Sequence, residues 1–232
     1  MKVAVVQHGI RPSALEDAVA LAEASKRAHE LGAELVVLPE VFSLFGEENP
    51  DRRALLEALE KIDGARLMPF VGPDAAGFAT VITPPAEADF AGSIALLVGD
   101  ACVDPEVHRA ILAERPNAVV LSPRSESELQ SEAMLEVAIG LSLSLAGLVL
   151  VAECAGSEPG EPGHGGSAIV LLGDIIAEAM GGDDVLVAEV VLPIPQPEPA
   201  EELPAVPPIL AQRLAHHRGE KLPVDYPADL SS

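Results

Sequence analysis

The sequence predicts an α/β fold in which helices cover either one mixed sheet or two sheets. Three observations point there. Strand-like and helix-like segments alternate along the first two thirds of the chain. The opening reads as a βαβ unit, which brings parallel strands with it because a crossover needs the intervening helix. The second half ends in closely spaced strands separated by Gly/Asp turns, the mark of antiparallel pairing.

Taken in order, residues 2–7 form a buried strand. Residues 14–31 place Leu15, Ala18, Val19, Leu21 and Ala22 near helical spacing, and Gly32 stops that helix. Residues 34–38 make the next strand, closed by Pro39. Pro50 and Asp51 start a helix that runs to about Ile62. Strands follow at 66–72, 78–83 and 93–98, a helix at 104–114, a short strand at 118–121, a long helix at 126–146 and a strand at 147–153. Residues 155–166 are rich in Gly, Pro and Glu and read as a surface loop. Strands are expected at 167–172, 174–179 and 185–191, with hairpin turns at Gly173-Asp174 and at Gly181-Gly182-Asp183-Asp184. Pro193 to Pro208 holds seven prolines, so a domain over 1–192 is expected to carry an extended tail, 193–232. A short helix over 209–218 is expected to pack on the body or on a neighbouring subunit.

Composition narrows the function. The 232 residues suit one sizeable α/β domain, 49% are hydrophobic and only 3% aromatic, so the core is built from Ala, Val, Leu and Ile. The net charge of −23 repels phosphate backbones and anionic headgroups, which argues against nucleic-acid and membrane partners. The run from Ala138 to Ala152 is too short and too interrupted to span a bilayer. No leader is read at the start, so a cytoplasmic protein is expected. Cys102 and Cys154 offer neither a disulfide framework nor zinc spacing. No phosphate-binding loop is present, since Gly163-His164-Gly165-Gly166 precedes a strand. His164 and the His216-His217 pair read as surface residues, and no metal or cofactor is implied.

Several segments, in matching order, resemble the nitrilase (carbon–nitrogen hydrolase) superfamily: the strand ending in Gln7, Gly32-Ala33-Glu34-Leu35-Val36-Val37-Leu38-Pro39-Glu40, Asp104-Pro105-Glu106, Ala118-Val119-Val120-Leu121-Ser122-Pro123, and Gly166-Ser167-Ala168-Ile169-Val170 with Gly173. The resemblance covers about residues 1–192. It implies a shortened αββα sandwich that packs helices across an interface, making a homodimer or higher homo-oligomer. It also implies a Glu base, a Cys nucleophile and a Lys that steadies the oxyanion.

Against that set the chain keeps Glu40 and departs twice. The nucleophile position, six residues before Pro105, is Gly99, which has no side chain to attack with. No Lys or Arg stands between Arg66 and Arg109, and Lys61 precedes the strands that should separate Glu from Lys. Cys102, three residues beyond Gly99, is the alternative nucleophile, although the displacement spoils an attack geometry good to about 1 Å. It also reads as a small buried hydrophobe. Cys154 stands where the family carries Asn and reads as a core cysteine. The pocket is expected to hold Glu40 and Asp100 without a compensating cation, either collapsed or open to water, or drawing a metal or ammonium group. The favoured function is an inactive homologue that acts by binding or assembly, with a protein partner open. The competing ones are an active amide or nitrile hydrolase using Glu40 and Cys102, and a cation-binding module.

Overall fold

The computed structural model describes residues 1–39, 94–155, 164–179, 181–191 and 205–220, together with the backbone of the short strands at 65–69 and 78–82. Glu40, the expected helix over 50–62, Lys61 and the acidic stretch at 83–90 lie outside the described residues.

Two five-stranded sheets form the centre. The first runs β10-β1-β2-β4-β3, from Asp184–Glu189, Lys2–Gln7, Leu35–Val37, Phe78–Ile82 and Ala65–Pro69. The second runs β5-β6-β7-β8-β9, from Ile94–Val98, Ala118–Ser122, Leu148–Val151, Ala168–Leu171 and Asp174–Glu178. Pairs β1–β2, β5–β6 and β6–β7 are parallel and the remaining pairs antiparallel. Each parallel step encloses a helix: α1 (Ala14–Glu30) between β1 and β2, α2 (Pro105–Glu114) between β5 and β6, and α3 (Glu128–Leu145) between β6 and β7. A further helix, α4 (Pro208–Arg218), follows the strands.

Helix ends follow local chemistry. Ser13 caps α1 by accepting from the Glu16 N–H, and Ser127 caps α3 by accepting from Gln130. Asp104 caps α2 with Pro105 in its first turn, where the missing proline N–H costs nothing.

Strict alternation along the strands separates two cores. Val3, Val5, Leu35 and Val37 of the first sheet meet Leu96, Val120, Leu150 and Ile169 of the second. The intervening positions of the second sheet (Ala95, Leu97, Val119, Leu121, Val149, Val151, Val170) face Ile111, Met134, Val137, Leu141 and Leu214 of the helices. Both faces of each central strand are therefore sealed, which is why they read as unbroken aliphatic runs. The result is an αββα sandwich, with α1 outside one sheet and α2 and α3 outside the other.

Two expectations change. The hairpin at Gly173-Asp174 turns one residue earlier, on Leu172 and Gly173, both at positive φ. The second expected hairpin, Gly181 to Asp184, is not one: β10 pairs with β1, so this stretch carries the chain from one sheet to the other. A tight turn with Gly182 at φ 67 serves either purpose, and the choice is made by the distant edge of β1. The terminal helix packs on the body, with Leu210 and Leu214 in the same core cluster as α3. No described helix is long and apolar enough to cross a membrane.

Candidate functional site

Parallel strands end together. β5, β6 and β7 close at one edge of the second sheet, where Val98 stands beside Ser122 and Leu121 beside Val151. The first sheet delivers β1 and β2 to the same edge. There His8 bridges Cys154 and accepts the Ala155 N–H through its carbonyl at 2.7 Å. β2 leads to this edge through Leu38 and Pro39, after which comes Glu40, outside the described residues.

Gly99 opens the turn that follows β5, a 3-10 helix over Gly99–Val103. Its φ of 55 lies in the left-handed region that glycine enters freely. A Cβ built there has no described atom within 4 Å, so the space a nucleophilic side chain would enter is open on this side. Cys102 points elsewhere. It is 0% exposed, packed among Val103, Ile111 and Leu214 on the helical side of the sheet. Burial pushes its thiol far above the ordinary range, against a backbone hydrogen bond at Ser122 and the Arg213 charge. Its carbonyl accepts from Nε2 of buried His108 at 2.8 Å, and burial holds that imidazole below its usual value. Cys154 is half-buried rather than a core residue.

Asp100 corrects an expectation. The sequence places no cation near it, yet Arg213 Nη2 lies 3.4 Å from Oδ1 and His217 Nδ1 lies 2.8 Å from Oδ2. Both come from α4, more than a hundred residues away, where no local pattern foretells them.

Sequence reasoning also missed Glu153. It is 2% exposed at the end of β7. Oε1 accepts the Ser125 N–H at 2.9 Å, and Oε2 lies 3.3 Å from Ser131 Oγ. Burial pushes its carboxyl up to about 7, against the hydrogen bonds at Ser125 and the charge of Arg213. The Ser131 hydroxyl lies between two acceptors, Glu153 Oε2 and the Gly165 carbonyl, the latter at 2.5 Å. The network continues through Ser167, whose Oγ accepts the Glu153 N–H and whose N–H donates to Gln7 Oε1, both at 2.9 Å. Gln7 Nε2 in turn donates to the Gly182 carbonyl at 2.9 Å. The one sequence signal for Glu153 was a carboxylate closing a continuous aliphatic strand, the same pattern that ends β1 in Gln7.

A second polar group flanks the first sheet. His8 Nε2 lies 2.6 Å from Asp17 Oδ1, both side chains buried, and this pins α1 to the end of β1. Gly9 N–H and the Arg11 guanidinium hold the Asp183 carboxyl below its usual range despite partial burial, which acts the other way. Gln7, His8, Arg11, Arg27 and Asp183 line a cleft of about 240 Å³ there. Among the described residues, no group of three or more His, Cys, Asp or Glu side chains is placed to hold a metal ion.

The fold is that of the nitrilase-superfamily amidases. A variant of the amidase from Nesterenkonia sp. AN1, carrying a Michael adduct of acrylamide at its active-site cysteine, is 19% identical to this chain. It aligns over 82% of this chain and 93% of its own with a TM-score of 0.62. A second variant of that enzyme, described as an amidase from the nitrilase superfamily, aligns at 19% identity over 82% and 92% with a TM-score of 0.62. No protein-family model and no curated protein matches the chain.

Two outcomes test this geometry. Gly166 has φ 101 and its added Cβ would strike Ser131 Oγ, so Gly166→Ala should cost about 3 kcal/mol or more in denaturant unfolding. Gly99→Ala meets only open space and should cost about 1 kcal/mol. Equal losses would count against the difference in packing. For Glu153, the unfolded chain releases the proton near 4.5 and the fold near 7. Between those values the unfolded state binds fewer protons, so this group's contribution to stability falls as pH rises. Glu153→Gln should flatten that part of the stability–pH curve. An unchanged slope would assign the effect to another group.

Proposed function

We propose that the chain is a carbon–nitrogen hydrolase homologue that no longer hydrolyses and that acts by binding or assembly. The observation that carries this reading is Gly99, which opens the turn after β5 with elbow-like backbone and no side chain. The resemblance puts the nucleophile at that position. Covalent catalysis through a thiolate requires an accessible, ionisable sulfur. Cys102 offers neither property, since it is enclosed by the apolar layer and its proton is held by burial. The sequence offers no Lys or Arg between Arg66 and Arg109 to take the lysine's part. Asp100, instead of lying free in a pocket, is engaged by α4.

For the assembly reading, the support lies on α3. Leu129 and Leu143 are 55% and 59% exposed and share one face of that helix, fourteen residues being close to four turns. The exposed Glu132 and Glu136 stand between them, so a contact with a second copy on this face would be a mixed one, apolar at its ends.

Purified protein given short aliphatic amides and nitriles should release no ammonia above the buffer rate. Release that disappears in both Glu40→Ala and Cys102→Ser would instead establish an active hydrolase with a displaced nucleophile. Light scattering should give a mass that is a multiple of the 24.0 kDa chain, and Leu129→Lys should reduce it. A wild-type mass of one chain would sink the assembly reading.

A further inference from the structure

The helix α4 touches the body in two ways. Leu210 and Leu214 enter the cluster that holds Cys102, Ile111 and Met134. Around that apolar contact stands a rim of charge. Arg213 reaches Asp100, Gln130 Oε1 at 3.2 Å and the Arg124 carbonyl, His217 reaches the other oxygen of Asp100, and Arg218 reaches Asp104. Asp104 is also the cap of α2, so one carboxylate serves the start of one helix and the end of another. The charged contacts bring α4 against the turn over Gly99–Val103 and its apolar face against α3. No strand pairs with α4, and the covalent path to it runs through a segment with seven prolines.

We propose that α4 is a latch that lifts away while both sheets stay folded, and that its ion pairs with Asp100 and Asp104 set how often Cys102, packed beneath it, meets solvent. An eleven-residue helix is marginal by itself, so α4 holds its shape only while docked, and docking is a local equilibrium separate from global unfolding. Salt reaches the rim contact of Arg218 with Asp104, where the arginine side chain is 41% exposed, and reaches the enclosed Arg213–Asp100 pair far less. Salt acts on the whole molecule in the opposite sense. A chain of net charge −23 repels itself, and screening that repulsion favours the compact state. Added salt therefore loosens the latch while it stabilises the body. The latch requires no hydrolytic activity of the chain.

Thiol labelling separates the two effects. Iodoacetamide modification of the intact protein, read by mass spectrometry of the peptides carrying Cys102 and Cys154, is followed at about 20 mM and about 0.5 M NaCl. Cys102 should label about threefold faster at high salt, the effect of screening one partly exposed pair, while the melting temperature rises. Asp100→Asn, which loses the enclosed Arg213 pair, should label fast already at low salt. Arg218→Gln, at the exposed end of α4, should lose most of the salt response, and it tests the latch by itself if the first variant fails to fold. Cys102 labelling that slows with salt in step with rising thermal stability would overturn the latch, because exposure would then come only from global unfolding. So would an unchanged Cys102 rate in both variants.

Discussion

The structure depends on two sheets laid face to face with nothing but aliphatic side chains between them. Such a layer, about 10 Å thick, admits no polar atom without a partner. Val5, Val37, Leu96 and Val120 fill it, and the helices close the outer faces. Polar chemistry is thereby confined to strand ends. Because β1 and β2 run together, and β5, β6 and β7 run together, their ends converge on one edge. Gln7, Ser122, Glu153 and Ser167 all sit there, buried yet hydrogen-bonded. The placement of the site is thus a by-product of strand direction.

That edge also shows how electrostatics is arranged in a cation-poor chain. Fourteen Lys and Arg face thirty-seven Asp and Glu. Arg213 is almost wholly enclosed, with contacts to a carboxylate, an amide oxygen and a main-chain carbonyl. Its charge also moderates the buried carboxyl of Glu153. One guanidinium thus serves partners from three separate parts of the chain, which suits its planar, multi-donor geometry better than a lysine's single ammonium.

Much of the layout was legible because its causes are local. Ser13 and Gly32 bracket α1, Asp104-Pro105 opens α2, and aliphatic runs mark strands sealed on both faces. Gly99 reads as relieving a strained turn, and its φ of 55 lies in the region that favours glycine. What escaped was non-local. The turn before β10 has the residues of a hairpin, and only the free edge of β1 decides that it crosses between sheets. The pairing of Asp100 with Arg213 and His217 spans more than a hundred residues and leaves no periodic trace. Glu153 looked like the polar end of a strand. Its burial follows from Ser131, Gly165 and Ser167 closing over it, which requires the tertiary fold.

The pairing of β10 with β1 has a consequence for biosynthesis. Val3 through Val6 are made some 180 residues before their antiparallel neighbours, Val185 through Ala188. Until then one edge of an aliphatic strand has no permanent companion, and such an edge is a template for wrong associations. At about 5–20 residues per second the delay lasts on the order of ten seconds or more. A nascent chain of this design has reason to keep its surface strongly like-charged, since mutual repulsion holds neighbouring unfinished copies apart.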